Sequence, residues 1–517
     1  MTEVKENGLN NPAFVNDEAA PAATTKGAAN GSAVVAIPTK VLNKEEQQEK
    51  MGMLKNVIVI SFAFTFLFTA FNSMSNLQSS INKVSGTMSL SVLYAALVFS
   101  CAFIPTWMIK TLKAKWTLVI SMLGYSLYIA AQFYPSNYTL VPTAIVLGLG
   151  AAPMWSAKCT YITQVGNKYA ELTGENSEVV ITRFFGIFFL FFQSTQIWGN
   201  LISSAVLSQG VEDRAVDEIA LAKCGINFCP GEPSMVIEGN TTDSSVSNLE
   251  APDMTKIYII ATIFLICALV SSVIIAFLVD PLSKYGENER QGSSSGKSGL
   301  QLLVATFQHM RHPYQILIIP LTIWSGVEQA FIQADITAAY VSCGLGVHWV
   351  GYIMITYGVC DAICSVSFSP LVSMVGRVPI FTMGAVINIC VIITLQHWMP
   401  HPDDFAIFFI IAGLWGISDA VWQTQINAFY GVIFPGASEA AFSNYRFWES
   451  LGYVIAFICS GILCIDSKII ILVFFLSTGM IGYLTIEILE RFDVLPRNSM
   501  GQIPNVDELI SNKNTHL

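Results

Sequence analysis

Twelve apolar runs of about 20 residues each constrain the fold of this chain more than any other feature of its sequence. A helix that crosses a hydrocarbon core of ~30 Å needs about 20 mostly apolar residues. Only 12% of the residues are charged and 53% are hydrophobic, whereas soluble domains carry about a quarter charged residues. The sequence therefore predicts an all-α polytopic membrane protein with twelve transmembrane helices, and it excludes an ordinary soluble enzyme, a coiled coil and a disordered protein. The predicted runs are 56–76, 88–109, 116–134, 139–162, 181–207, 256–279, 314–337, 348–371, 379–398, 405–428, 440–464 and 469–490.

Polar segments divide these runs into two groups of six. The first 54 residues are rich in Ala, Asn, Gly and Thr and carry too little apolar surface to fold, which predicts a disordered tail. The stretch QGSSSGKSG marks a linker between the sixth and seventh runs. The predicted organisation is a tail over 1–54, a six-helix half over 55–279 with a long loop at 208–255, a linker over 280–313, a second half over 314–490 and a tail over 491–517.

An internal repeat relates the two groups of runs. Pro105 at the end of the second run corresponds to Pro370 at the end of the eighth, an offset of 265 residues. The stretch GLGAAPMW in the fourth run resembles GLWGISDAVW in the tenth, and the RFF that begins at Arg183 matches the RFW that begins at Arg446. A nearly constant offset across three pairs of helices predicts two parallel six-helix repeats, the architecture of the major facilitator fold.

Lysine and arginine are distributed unevenly between the two sets of loops. If the N-terminus is cytosolic, the cytosolic segments hold fifteen basic residues and the outside segments five. Because basic loops stay in the cytosol, this bias predicts that both termini are cytosolic. The loop over 208–255 then lies outside, and its nine acids against two basic residues account for most of the net charge of −10. The five basic residues predicted to lie outside are Lys83, Arg214, Lys223, Lys256 and Lys468.

Two glycosylation sequons and two cysteines fall in segments predicted to lie outside. Asn240 lies in the middle of the long loop and is the better acceptor, whereas Asn137 lies in a short loop against the membrane. Cys224 and Cys229 lie in the long loop, where a disulfide would persist, and their C-x₄-C spacing predicts that they pair with each other. Most of the eleven cysteines lie in apolar runs, where we expect them to be buried as small hydrophobic residues.

Eight charged residues fall inside the apolar runs other than the third, sixth, ninth and twelfth. Charge at membrane depth is unfavourable and is expected to face the protein interior. The third, sixth, ninth and twelfth runs carry charge only near their ends, which agrees with the lipid-facing helices of the major facilitator fold. The eight residues are Lys158, Arg183, Glu328, Asp335, Asp361, Asp419, Arg446 and Glu449.

Two interpretations of these charges remain open. Glu328, Asp361 and Asp419, in the seventh, eighth and tenth runs, would serve either as a proton or cation site or as members of buried structural pairs. Arg446 and Glu449, three residues apart on one helix, are a natural pair. Closure of the cleft on its cytosolic side would bring Lys158 and Arg183 toward Asp419 and Glu449, and we expect a charge latch between the halves there.

The sequence contains no catalytic or metal-binding pattern. Neither the six histidines nor the cysteines have metal-ligand spacing, and no Ser/His/Asp set falls at one membrane depth. The stretch GSSSGKS at 292–298 resembles a phosphate-binding loop, but it is one residue short and follows no predicted strand, which favours a flexible linker. No basic stretch indicates nucleic acid binding. We therefore expect a membrane protein without catalytic activity, cofactor or nucleic acid partner.

Long stretches of the chain resemble the uncoordinated-93 family, a branch of the major facilitator superfamily. The resemblance covers nearly all of 55–490, and within the family the chain is similar to the shorter "A-like" branch rather than to the longer branch that escorts Toll-like receptors. The stretches that carry it are SFAFTFLFTAFNSMSNLQSSIN, LVPTAIVLGLGAAPMWSAKCTYIT, RFFGIFFLFFQSTQIWGNLISS, WSGVEQAFIQADITAAYVSCGLG and VGYIMITYGVCDAICS.

The resemblance implies a role as a regulatory subunit of a potassium channel complex at the plasma membrane, since the founding role of the family is of that kind. Two alternatives stay open at this point. The first is a secondary transporter that uses the central acids, with an unknown substrate. The second is a trafficking chaperone for membrane receptors, which would place the protein in endosomal membranes as well.

Overall fold

The computed structural model of the protein describes residues 43–175, 177–209, 218–230, 253–286, 310–434 and 438–492. All regular secondary structure within these ranges is helical. The N-terminal half consists of α1 (Lys44–Ile81), α2 (Lys83–Ala130), α3 (Asn137–Thr173), α4 (Ser177–Gln193), α5 (Thr195–Leu207) and α6 (Met254–Leu278). The C-terminal half consists of α7 (Pro313–Leu345), α8 (Val350–Val375), α9 (Arg377–His397), α10 (Pro402–Ile433), α11 (Ser438–Ile462) and α12 (Ile465–Arg491).

Each of the twelve predicted runs lies in helix, to within a few residues at its ends. Nine helices of the described ranges are long and apolar enough to cross a membrane. The second and third runs share α2, and Lys113 with φ of 65° breaks its helical path between them. A positive φ is rare for a residue other than glycine and is typical of a turn. Lys113 therefore makes the turn between the second and third runs. The fifth run is divided between α4 and α5 at Ser194.

The first helix begins earlier than the sequence analysis predicted. The Asn43 side chain accepts a hydrogen bond of 2.8 Å from the Glu46 backbone N–H, and the Glu46 carboxylate accepts one of 2.9 Å from the Asn43 N–H. This capping box fixes the helix start, and the Lys, Glu and Gln residues that follow are strong helix formers. The prediction of a disordered tail up to residue 54 is therefore wrong for 43–54, and the rest of that tail lies outside the described residues.

The halves meet at the end of the bundle where α1 and α7 finish. We call this the cysteine end, because it carries two disulfides, and we call the opposite end the tail end. Hydrogen bonds join Ser79 to Thr337 at 3.2 Å and Ser80 to Ser342 at 2.7 Å. A Cβ added to Gly351 would lie only 2.3 Å from a carbonyl oxygen of α5, so α5 and α8 pack with their backbones in close approach.

The predicted Cys224–Cys229 disulfide is wrong. Cys224 bonds to Cys343 at the finish of α7, and Cys229 bonds to Cys464 just before α12, with Cα–Cα distances of 5.6 and 4.2 Å. The turn at Gly225, whose φ is 67°, packs against Pro400 and the Tyr340 ring, so the loop segment rests on the C-terminal half. Spacing alone could not show this, because the partners are 119 and 235 residues away in sequence. Cys464, which lies in a predicted apolar run and was expected to be a simple buried hydrophobe, is therefore bonded.

The glycosylation sites stay predictions. Asn137 is the exposed first residue of α3, and the hydroxyl of Thr139 in its sequon caps this helix through Ser136. Asn240 lies outside the described residues, as do most of the predicted long loop and the linker.

Candidate functional site

Three acids from the C-terminal half lie together in the protein interior. Glu328 on α7 is 0% exposed, Asp419 on α10 is 2% exposed and Asp361 on α8 is 8% exposed. Their charges interact directly with one another. We call these three residues the acid cluster, and they are three of the eight intramembrane charges that the sequence analysis assigned to the protein interior.

Local backbone features bring the three helices of the cluster close together. A Cβ on Gly416 of α10 would lie 2.3 Å from the carbonyl oxygen of Tyr357 on α8, and a Cβ on Gly326 of α7 would lie 2.0 Å from that of Glu449 on α11. Both contacts require glycine. A π-helical segment follows Glu328 at Ile332–Ser342 and another follows Asp419 at Trp422–Ile426. Segments of this kind are rare and frequently occur at functional sites.

Asp419 and Asp361 are supplied with hydrogen-bond donors. The Gln329 side-chain amide donates to Asp419 Oδ1 at 3.1 Å, and the Tyr357 hydroxyl donates to Asp419 Oδ2 in a short hydrogen bond. Ser365 Oγ donates to Asp361 Oδ1 at 3.2 Å, and Gln193 Nε2 donates to Asp361 Oδ2 at 3.4 Å. These donors stabilise the ionised form of each carboxylate.

Glu328 differs from both of its neighbours. Within the described part of the chain, neither of its carboxylate oxygens accepts a hydrogen bond from a protein donor. The next residue of α7, Gln329, contacts Asp419 at 3.1 Å, and the Glu328 and Asp419 carboxyls interact with each other. Two ionised carboxylates are both acceptors, so a hydrogen bond between them requires a proton on one of them. The pair is therefore satisfied when it holds one proton.

The cluster is connected to the N-terminal half by two routes. Gln329 accepts a short hydrogen bond from the Tyr453 hydroxyl, and the Tyr453 ring stacks on Tyr94 of α2 with a centroid distance of 4.1 Å and an interplanar angle of 1°. Gln193, which donates to Asp361, belongs to α4. The acid cluster therefore lies directly beside two contacts between the halves, the Gln193–Asp361 hydrogen bond and the Tyr453–Tyr94 stack.

The remaining predicted charges on α3, α4 and α11 contact groups other than the acid cluster. Arg446 and Glu449 form the predicted i,i+3 ion pair at 2.7 Å. Lys158 lies among four aromatic rings of α3 and α4, with its Nζ 4.4 to 5.2 Å from their centroids. Arg183 is exposed and pairs with Glu175 at 2.8 Å. The four rings around Lys158 are Trp155, Phe185, Phe188 and Phe189.

The expected charge latch is not formed in this structure. Neither Lys158 nor Arg183 makes an ion pair with Asp419 or Glu449 in the part of the chain that the structure describes. The aromatic rings explain the difference for Lys158, because a buried ammonium is attracted to ring faces. The run RFFGIFFLFF was a signal for this cage, since it places phenylalanines at helical spacing beside the lysine.

Sequence reasoning misplaced one charge completely. Lys468 was counted as a basic residue in an outside loop, but it lies inside α12, where its Nζ contacts Asp335 Oδ1 at 2.7 Å. The two side chains are 4% and 5% exposed, and Ser460 Oγ donates to the same carboxylate at 2.9 Å. This ion pair joins α7 to α12 near the cysteine end.

Tyr357, Gln329 and Tyr453 were also missed, because neutral polar residues in an apolar run carry no distinctive pattern.

Charged groups at the tail end form pairs within each half. Asp280, just after α6, accepts hydrogen bonds of 3.1 Å from Asn56 and from Tyr285, and it lies 3.6 Å from Lys55 and 3.5 Å from Lys284. Burial raises the pKa of Asp280, but the Asn56 hydrogen bond, the two lysines and Tyr285 outweigh burial and hold this pKa below its usual value.

The C-terminal half has its own tail-end cluster. Arg377 contacts Glu487 at 3.1 Å and Glu490 at 3.0 Å, so the start of α9 is fastened to the end of α12. Over the described ranges no group of three Asp, Glu, His or Cys side chains is arranged to hold a metal ion.

Comparison with known sequences places this chain among proteins of one family. The family model described as "Ion channel regulatory protein UNC-93" matches residues 77–484. The chain is 42% identical over 446 residues to protein unc-93 homolog A of Xenopus laevis, covering 86% of this chain and 95% of that one. It is 39% identical to the human unc-93 homolog A, covering 88% of this chain and 98% of that one. It is 37% identical to unc-93 of Caenorhabditis elegans, a protein named as a candidate potassium channel regulator, covering 85% of this chain and 61% of that one.

Comparison with solved structures shows the fold. The nucleoside transporter NupG superposes with a TM-score of 0.55 at 13% identity, covering 84% of this chain and 99% of that one. A D-xylose–proton symporter superposes with a TM-score of 0.52 at 11% identity, covering 84% of this chain and 96% of that one. The chain therefore has the major facilitator fold that the repeat predicted, while identities this low carry no information on substrate.

Proposed function

The chain belongs to the UNC-93 family of ion channel regulatory proteins, and from this we propose that it is a non-enzymatic regulatory subunit of a potassium channel complex. In this role it modulates the conductance or surface level of the channel, and so potassium balance and membrane potential. The observation that carries the proposal is the family match over residues 77–484, together with the C. elegans relative that is named for potassium channel regulation.

The cysteine end supports regulation over ordinary transport. A transporter of this fold opens its two ends in alternation as one half rocks against the other. Here hydrogen bonds cross between the halves at the cysteine end, and two disulfides fasten a segment of the N-terminal half onto the C-terminal half. Such an arrangement favours a protein in which this end stays closed and serves as a fixed surface.

We place the protein in the plasma membrane with both termini in the cytosol. The excess of basic residues on one side supports this orientation. The two disulfides agree with it, because disulfides persist in oxidising compartments and therefore favour an extracellular position for the cysteine end.

Affinity purification of the tagged chain from native membranes, followed by current recording, tests the proposal. We expect a potassium channel subunit to co-purify in stoichiometric amount, and co-expression of this chain to change that channel's current several-fold. A chain that purifies without a channel, with currents unchanged by its expression, contradicts the proposal. A receptor that co-purifies instead would indicate the chaperone role.

A secondary transporter is the second candidate, and the acid cluster is the observation that favours it. Buried, partly unpartnered acids beside the interface of the halves are where a coupling ion would bind in such a protein. Uptake of candidate solutes by cells that express the wild type and the Glu328→Gln variant at equal surface level tests it. Uptake that depends on pH in the wild type and is lost in the variant would favour transport.

A further inference from the structure

We propose that Glu328 and Asp419 form a proton-binding site, and that the proton they share controls the contact between the two halves through Gln329, Tyr453 and Gln193. The inference concerns a ligand of this chain alone. It needs neither a partner channel nor a transported solute, so it does not rest on the proposed function.

The surroundings of the pair favour a proton over a metal cation. Two donors, the Gln329 amide and the Tyr357 hydroxyl, already point their hydrogens at Asp419. Donor hydrogens repel a metal cation, and hard cations require several oxygen acceptors in the first coordination sphere. Among the described residues, Glu328 offers two acceptor oxygens that no donor occupies. One proton satisfies this geometry, because it converts Glu328 into a donor toward Asp419.

No described cation balances Glu328. The charged groups that act on it are both acids, Asp419 on α10 and Asp361 on α8, and the titratable hydroxyls that face it are Tyr357 on α8 and Tyr453 on α11. The cations of the packed helices are committed elsewhere. Lys468 on α12 is held by Asp335, and Arg446 on α11 is held by Glu449, while α1 meets α7 through serine hydroxyls. From the N-terminal half, the titratable group nearest this contact is Tyr94, whose ring stacks on Tyr453.

Loss of the proton has a mechanical consequence. Two carboxylates within hydrogen-bonding reach repel each other once both are ionised, and in a low-dielectric interior this repulsion is strong. We expect α7 and α10 to separate at Glu328 and Asp419. Gln329 bridges Asp419 and Tyr453, so its displacement disturbs the Tyr453–Tyr94 stack between the halves. The Gln193–Asp361 hydrogen bond offers the second path, so deprotonation loosens the interface of the halves at both places.

Cys159 provides a native reporter of that interface. It is a free, exposed cysteine on α3, and its thiol interacts electrostatically with Arg446 of α11 in the opposite half. The experiment uses the full-length protein in lipid nanodiscs, a membrane-impermeant maleimide and mass spectrometry of the Cys159 peptide. The labelling rate is compared between wild type and Glu328→Gln, which mimics the protonated acid, from mildly acidic to mildly alkaline pH. The Cys159→Ser variant lacks this thiol, so the labelling that it loses is the labelling of Cys159.

We expect the wild type and Glu328→Gln to label equally at acidic pH, and the wild type to label several-fold faster at alkaline pH. Asp466→Asn, at an exposed acid of α12, is the matched control and should behave as the wild type. A ratio that stays constant across the pH range overturns the coupling.

Infrared difference spectroscopy tests the proton itself and does not depend on the reporter. A protonated carboxyl gives a C=O band distinct from that of a carboxylate, and we expect the wild type to show such a band that disappears in Glu328→Gln. Its absence from folded wild-type protein, or its persistence in the variant, overturns the site. If Glu328→Gln fails to fold, Tyr453→Phe keeps the ring stack but removes the bond to Gln329. It should keep the carboxyl band and lose most of the pH-dependent change in Cys159 labelling, and full retention of that change overturns the Tyr453 route.

Discussion

The two ends of the bundle hold the molecule together in different ways. At the cysteine end the contacts run between the halves, through Ser79–Thr337, Ser80–Ser342 and the two disulfides of the loop segment. Among the residues that the structure describes, the ion pairs at the tail end stay within one half. Asp280 forms ion pairs with two lysines of the N-terminal half, and Arg377 forms ion pairs with two glutamates of the C-terminal half.

This difference indicates where relative motion of the halves is opposed. Contacts between halves must break when the halves separate, whereas contacts within a half move with it. Among the described residues, the ion pairs of the tail end therefore do not oppose its opening, whereas the contacts of the cysteine end oppose separation there. The acid cluster lies between the two ends, beside Gln193 and the Tyr453–Tyr94 stack, where it can bias that motion.

The largest expected effect comes from the disulfides of the cysteine end. The Cys343→Ser variant removes a bond that spans 119 residues, and a loop of this length corresponds to about 4–5 kcal/mol in the free energy of unfolding. We expect a clear fall in the thermal unfolding midpoint of the purified protein. We also expect one new reactive thiol, at Cys224, because the Cys229–Cys464 bond remains.

The matched control for this substitution is Cys390→Ser, which changes a free, exposed cysteine of α9 and should leave the midpoint unchanged. An unchanged midpoint for Cys343→Ser, or a Cys224 that stays unreactive, would contradict the pairing. The second result would instead restore the loop-internal bond that the C-x₄-C spacing suggested.

The buried ion pair near the same end should give the next largest effect. Lys468→Met leaves the Asp335 carboxylate buried without its cation, and breaking a buried pair in this way costs about 3–5 kcal/mol. The double variant Asp335→Leu/Lys468→Met removes both charges and should recover most of the loss. Chemical unfolding of both variants measures this, and a double variant that is no better than the single one would show that packing, not charge, is responsible.

The sequence predicted the fold because its signals are local and repeated. Each apolar run predicts a helical segment, and a nearly constant offset between Pro105 and Pro370 and between other matched segments predicts the two halves. The acids at 328, 361 and 419 could be assigned to the interior for the same reason, since charge in an apolar run must avoid lipid.

The partners of these groups could not be predicted, because they depend on which helices become neighbours. Cys464 looked like an ordinary apolar-run cysteine, and Cys343 lies between two predicted runs where nothing in its local sequence indicates a partner. Lys468 looked like a loop residue, since nothing in its local sequence shows that Asp335, 133 residues earlier, lies against it. The donors to Asp419 are neutral residues whose role appears only when α7, α8 and α10 are packed together.

Breaking the tail-end cluster of the C-terminal half sharpens the comparison of the ends. Arg377→Gln leaves Glu487 and Glu490 facing each other without their cation, and the loss of two partly buried charged hydrogen bonds costs about 1.5–3 kcal/mol each at most. We expect a lower unfolding midpoint but unchanged Cys159 labelling, because the contact lies within one half. Arg491→Gln, at the neighbouring end of α12, is the control. A large change in labelling for Arg377→Gln would show that this cluster also governs the separation of the halves.

The smallest expected effect is that of Asp280, the centre of the other tail-end cluster. Its pKa is held below the usual value of 3.8, so its contribution to stability is fully present above that value and is lost as the pH falls through the lower, folded-state pKa. The lysines around it are 48% and 55% exposed, and solvent screening limits the effect of Asp280→Asn to about 0.2–1 kcal/mol at neutral pH. The difference between wild type and variant should therefore be small at neutral pH and vanish in acid, as thermal unfolding across pH would show. A difference that grows as the pH falls would reverse the sign expected for a depressed carboxyl pKa. If the variant also changed Cys159 labelling, the tail end would no longer be a place where each half is held only to itself.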